Sequence, residues 1–272
     1  VTVTGVNDDS VDGDQTTTVT ISVDSSTSDT NYSNVASKTV AVTTTDDDTA
    51  DFTLSKTAVT VTEAGSSATF TVVLTAEPSS DVVLSVVSAD TGEVTVSPDA
   101  LTFTAGDWNI ARTVTVTGVN DESVDGDQTT TVTISVDSSS DTNYSNVASK
   151  TVAVTTTDDD TADFTLSKTA VTVTEAGSSA TFTVVLTAEP SSDVVLSVVS
   201  ADTGEVTVSP DALTFTAGDW NIARTVTVTG VNDDSVDGDQ TTTVTISVDS
   251  STSDTKNSNV ASKTVAVTTT DD

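Results

Sequence analysis

The residues that can do chemistry in this chain are almost all carboxylates. Its 272 residues carry Asp+Glu 42 against Lys+Arg 8, a formal net charge of −34, with no His, Cys or Met. The acids gather in short segments. Val119–Asp127 reads VNDESVDGD, Asp158-Asp159-Asp160 forms a run, and Glu63 follows an alternating Val/Thr stretch. Carboxylates crowded in this way repel one another unless cations neutralise them. Hard divalent cations suit them best. Ca²⁺ accepts roughly 6–8 oxygen ligands in flexible geometry, while Mg²⁺ prefers stricter octahedral sites that keep water. Softer metals find neither imidazole nor thiolate. Paired carboxylates also serve as acid and base in glycosidases. Repeated surface loops without His and with few Lys offer no prepared pocket for that, so the chain is read as not an enzyme.

The same charge narrows the partners. Phosphates of nucleic acid and anionic membrane surfaces would be repelled. No apolar run approaches the roughly 20 residues that span a bilayer, so membrane insertion is not expected. Long acidic chains are often disordered, but here 35% of residues are hydrophobic and sit in strand patterns. Without Cys there is no disulfide framework. That fits a protein folding outside the cell on metal ions. The chain opens at Val1 with no signal peptide, and an export signal is expected upstream.

The elements that must position these acids are strands. Ala58–Thr62, Thr113–Thr117 and Thr131–Ser135 alternate apolar and polar residues at period two. Branching at Cβ suits Val, Ile and Thr to a pleated surface. Strands are predicted over 51–62 (broken), 67–75, 82–88, 100–104, 111–118, 128–136 and 147–157, with a minor strand near 94–96. No helix is expected.

Internal repetition sets the domain plan. The stretch Thr49–Asp137 recurs as Thr161–Asp249 with one change, Glu122 against Asp234. The expected division is 1–48 as the last three strands of a truncated repeat, 49–160 as a complete repeat, and 161–272 as a second one whose closing Asp run is cut short. In the fragment those strands fall near Val1–Gly5, Gln15–Ser22 and Val35–Thr44. A repeat of this length is one small sandwich rather than a solenoid turn. The fold class is therefore all-β: tandem immunoglobulin-like Greek-key β-sandwich domains joined end to end by very short linkers. If successive strands run up and down, 10 of the 17 acids of 49–160 fall on one pole. These are Glu63, Asp90, Glu93, Asp121, Glu122, Asp125, Asp127 and Asp158–Asp160. The other pole receives Asp51, Glu77, Asp81, Asp107, Asp137 and Asp141.

The Glu after an alternating first strand (Val61-Thr62-Glu63), the acidic loop Val119–Asp127 and the closing Asp158-Asp159-Asp160 resemble the Calx-beta repeat. So does the stretch TFTAGDWNIARTVTVTGVNDESVDGD. That family comprises calcium-binding immunoglobulin-like modules of sodium–calcium exchangers and of arrays in large bacterial surface proteins. The resemblance implies Ca²⁺ ligands at Glu63, Asp121, Asp125, Asp158 and Asp160, with Ser123 giving its carbonyl. Asn120 stands where the exchanger pattern has Asp and would offer a neutral oxygen. The matching positions in the second repeat are Glu175, Asn232, Asp233, Ser235, Asp237 and Asp271. Asp90 and Glu93 lie in a loop that departs from the family pattern.

The expected function is a calcium-stabilised spacer, stalk or fibre segment of a secreted or surface-attached bacterial protein. The alternative is an adhesive module that grips a glycan or protein. Near-identity of neighbouring repeats favours the spacer, since a specialised tip differs from its neighbours. Expected partners are calcium ions, neighbouring repeats of the same chain, and other copies where a fibre forms. Trp108 and Trp220 suit packing over a sandwich end better than sugar stacking. The Thr-Val-Thr rows would lie on twisted sheets, which argues against a flat ice-binding face.

Overall fold

The computed structural model describes residues 1–232 and 235–271. The described residues form β-strands and three short 3-10 turns. The chain divides into two compact units. The first comprises Val1–Val61, Gly65–Val119 and Thr129–Thr155; the second comprises Thr62–Ala64, Asn120–Gln128 and everything from Thr156 on.

Strands β1 (Gln15–Ile21) and β2 (Lys38–Thr44) pair as an antiparallel ribbon. Ile21 and Val40 are about half exposed on it, at 53% and 52%. The expected strand at Val1–Gly5 does not form. In the sandwich that follows, the equivalent strand is hydrogen-bonded on both sides, and no described residues flank Val1–Gly5 in that way.

Nine strands follow: β3 (Phe52–Leu54), β4 (Ala58–Thr62), β5 (Ser67–Leu74), β6 (Val82–Ser88), β7 (Val94–Ser97), β8 (Ala100–Phe103), β9 (Arg112–Gly118), β10 (Gln128–Val136) and β11 (Lys150–Thr157). One sheet has the order β3-β5-β9-β7 and the other β4-β11-β10-β6-β8. The first predicted strand is broken because it serves both sheets. At the break Ser55 N–H donates to Thr71 O, Thr71 N–H donates back to the Ser55 hydroxyl, and Lys56 Nζ donates to Thr69 O. Between the sheets Phe52, Phe70, Phe103, Val116, Ile134 and Val154 are wholly buried. Each such side chain contributes about 1.5–3 kcal/mol by leaving water. Trp108 packs against this core, as its composition suggested. The outer faces carry hydroxyls that pair across strands, Ser67 with Thr117 at 2.9 Å and Ser85 with Ser135 at 2.8 Å.

The second sandwich repeats this plan with β12 (Phe164–Leu166), β13 (Ala170–Thr174), β14 (Ser179–Leu186), β15 (Val194–Ser200), β16 (Val206–Ser209), β17 (Ala212–Phe215), β18 (Arg224–Gly230), β19 (Gln240–Val248) and β20 (Lys263–Thr270). Its sheets are β12-β14-β18-β16 and β13-β20-β19-β15-β17, and β13 runs parallel to β20. That parallel pair brings the turn after β13 beside the chain leaving β20. Gly230 lets the same turn approach closely. A β-carbon there would stand 2.2 Å from Thr174 O.

The strand predicted over 147–157 starts at Lys150. Before it, Thr142–Tyr144 form a 3-10 turn and Val147 N–H closes onto Tyr144 O. Two buried groups hold this connection. Tyr144 donates its hydroxyl to Ala76 O at 2.5 Å, and burial pushes its pKa up to about 12. In the second sandwich Asn257 takes this place, and its Oδ1 is buried without a hydrogen-bond partner among the described residues. Asp141 accepts from the Ser79 hydroxyl (2.7 Å), Ser80 N–H (2.7 Å) and Asn143 N–H (2.8 Å). Burial alone would raise its pKa, but these hydrogen bonds outweigh burial and hold it below 3.8.

Two outcomes follow from these groups. Tyr144→Asn should lower the stability of the first sandwich by about 2–4 kcal/mol through a cavity and a lost hydrogen bond. Asn257→Tyr should raise that of the second; calorimetric unfolding of the whole chain reads both. Asp141 titrates below its unfolded value, so its contribution is complete above 3.8 and fades as pH falls through the folded value. Asp141→Asn should therefore cost about 1–3 kcal/mol near neutral pH. In denaturant titrations repeated at successively lower pH below 3.8, its curve and the parent's should draw together as the folded value is passed.

Candidate metal centre

Acids from three separate segments meet where β4, β10 and β11 have their ends. Carboxylate oxygens of Glu63, Asp121 and Asp160 lie within 4.8 Å of one another. Glu63 follows the last residue of β4 and is fully buried. Its N–H donates to Thr157 O at 3.1 Å, which fixes it against the end of β11. Asp121 Oδ1 accepts Ser123 N–H at 2.7 Å, and Ser123 O accepts Asp125 N–H at 3.0 Å. These short-range bonds coil the loop that enters β10.

Asp158 joins this loop to the chain leaving β11. Its Oδ2 accepts Gly126 N–H at 2.6 Å and its Oδ1 accepts Asp160 N–H at 2.8 Å. Gly126 sits at φ 77°, in the left-handed region that glycine enters without cost. Gln128 donates from its amide to Asp125 O and Gly126 O. The loop is also held by the main chain of Glu189. Val124 N–H donates to Glu189 O at 3.0 Å and Glu189 N–H to Glu122 O at 2.6 Å. The expected neutral ligand Asn120 donates from its amide to Asp121 O and to the Glu122 carboxylate. Asp90 shapes its own turn by accepting Gly92 N–H, and Glu93 O accepts Val119 N–H.

The electrostatics of this cluster favour a cation. Burial pushes the Asp160 carboxyl above 3.8, and Glu122, Asp158, Asp159 and Asp121 push it further. Asp125 Oδ1 is buried with no hydrogen-bond partner among the described residues, an arrangement that costs free energy while the oxygen stays unsatisfied. The donor set is all carboxylate and carbonyl oxygen, the preference of a hard divalent ion.

A protein-family model, the Calx-beta domain, matches residues 45–160 and again 157–272. The chain belongs to the Calx-beta family. No curated protein matches it. Among solved structures it is similar to the calcium binding domain CBD12 of CALX1.1, at 13% identity over 72% of this chain and 79% of that one, with a TM-score of 0.32. It is also similar to the apo-form Calx CBD1 domain, at 14% identity over 42% of this chain and 100% of that one, with a TM-score of 0.33. The S-layer protein SbsC, domains 4 and 5, matches at 19% identity over 69% of this chain and 76% of that one, with a TM-score of 0.32. Scores this low describe a general likeness and add nothing to the family match.

The second Calx-beta copy shares the scaffold of the first. Glu175 is buried and its N–H donates to Thr270 O at 3.2 Å. Asp271 Oδ2 accepts Gly238 N–H at 2.8 Å. Asn232, Ser235 and Asp237 are exposed, and Asp233 lies outside the described residues. The structure thus brings Glu63, Asp121 and Asp160 together, with Ser123, Asp125 and Asp158 in the loop and latch beside them. Gln128, Gly126 and Glu189 were not singled out from the sequence. Gln15, Gln128 and Gln240 open β1, β10 and β19, each two residues after a left-handed glycine. That regular spacing was a usable signal.

The raised Asp160 carboxyl has a measurable consequence. For an acid whose folded pKa is raised, the stabilising share is present below the unfolded value and is lost as pH rises through the folded one. At neutral pH the charged group therefore burdens the metal-free protein. Asp160→Asn should raise the melting temperature in chelator at about pH 7, with no gain at about pH 3. Unchanged melting at neutral pH would contradict the charge crowding.

Proposed function

We propose that the chain is a calcium-stabilised structural spacer, a stalk or fibre segment of an extracellular surface protein of bacterial type. It is built from the repeats 49–160 and 161–272 after a partial repeat, 1–48. The observation that carries this reading is the convergence of Glu63, Asp121 and Asp160 within 4.8 Å. Membership of the Calx-beta family supports it. Glu63, Asp121, Asp125 and Asp160 would hold the ion, with the Ser123 carbonyl beside them. Asp158 would anchor the loop through Gly126 while adding charge. Glu175, Asp233, Asp237 and Asp271 would serve the second copy, with Asn232 and Ser235 contributing neutral oxygens. Bound calcium would supply the positive charge that these carboxylates lack. The role proposed is structural rather than catalytic, because the acids lie in loops repeated from one sandwich to the next.

A ligand that binds only the folded state stabilises it by about 2.7 kcal/mol at a hundred times its dissociation constant. Thermal melts in calcium should therefore lie well above melts in chelator. Asp121→Asn should remove the share of that gain due to the first site, whereas Asp81→Asn should leave the gain intact. Equal melts with and without calcium would reject this function.

A further inference from the structure

The two sandwiches differ chemically in one turn. Thr142-Asn143-Tyr144 in the first is replaced by Thr255-Lys256-Asn257 in the second. The backbone at Lys256 is fixed, since its N–H donates to Asp254, a buried carboxylate that also accepts from Ser191 and Ser192. From that base the Lys256 side chain reaches the acidic loop 120–128. Its Nζ lies 3.9 Å from the position a β-carbon would take on Gly126. Gly126 stands between Asp125 and Asp127, and its N–H is held by Asp158. In the first unit the equivalent Asn143 instead donates its neutral amide to Val11 O at 2.6 Å. Among the described residues the close ion pairs involve Arg112, Lys150, Arg224 and Lys263, so the Lys256 charge is not committed to one carboxylate within 4.0 Å.

We propose that Lys256 is a built-in competing cation that sets the calcium affinity of the centre at Glu63, Asp121 and Asp160. The proposal rests on the calcium reading above. An ammonium beside the loop repels a divalent ion entering the same cluster, and it attracts the same carboxylates when that ion is absent. It therefore acts with opposite sign in the two states. It lowers affinity for calcium, and it steadies the metal-free loop. A lysine that only packed against the loop would do neither on account of its charge.

The test is calorimetric titration of the whole chain with calcium, together with melting in chelator, for the parent and Lys256→Gln. Gln keeps much of the stem and removes the charge. Calcium should bind one class of sites about three- to tenfold more tightly in the variant. Its melting temperature in chelator should fall. The same substitution in an Asp121→Asn background should leave calcium binding unchanged, because the affected site is then disabled. Unaltered affinity in Lys256→Gln would overturn the proposal, as would an equal tightening in the Asp121→Asn background. Absence of calcium binding by parent and variant alike would instead overturn the calcium reading on which it rests.

Discussion

Glu63 places a carboxylate inside the end of a β-sandwich, beside the carboxylates of Asp121 and Asp160. Burying charge is expensive unless an opposite charge or hydrogen bonds repay it. Much of the architecture serves to bring these groups together. Strand β4 ends just before this carboxylate, the end of β11 accepts its N–H, and the loop before β10 is fastened to the chain leaving β11. The β13–β20 pair, parallel and in register from Ala170 with Ala266 to Thr174 with Thr270, shows how the second copy positions Glu175.

The few basic residues sharpen this arrangement. In the first sandwich Arg112 opens β9 and pairs with Asp107, lying 5.5 Å from the centre of the Phe103 ring. Lys150 opens β11, pairs with Asp51 at 2.9 Å and lies 4.9 Å from the centre of the Phe52 ring. At the start of their strands both offset acids and cover aromatic edges. Part of the acidic charge is thus neutralised within the fold.

Much of this was legible in the sequence because period-two alternation of Val with Thr leaves little room for another reading. The strands at 82–88 and 128–136 fall where the pattern put them. Up-and-down parity placed Glu63, Asp121 and Asp160 on one pole, and the structure brings them together. The start of β11 was less legible, since Asp141 and Tyr144 draw their neighbours into a turn through contacts far along the chain. The roles of Asn120 and Asp158 were also hidden. Composition marks both as oxygen donors, but only three-dimensional contacts show an amide fastening its own loop and a carboxylate gripping Gly126. The strand pattern of Val1–Gly5 was real, yet a strand needs neighbours, and periodicity does not provide them.

Among the described residues, the grip of a sequence-distant aspartate on the N–H of a left-handed glycine occurs three times: Asp46 on Gly13, Asp158 on Gly126 and Asp271 on Gly238. Its first instance belongs to the β1–β2 ribbon, which pairs with no other described strand. The latch therefore requires only two adjacent strands and the loop before them. Its partners are separated by 33, 32 and 33 residues, a short closure compared with the contact between Lys150 and Asp51. Short closures cost less chain entropy and form sooner than distant ones. During folding, the carboxylate loop can take its shape on a hairpin before the two sheets have met. The remaining strands would then assemble onto an end whose loop is already shaped.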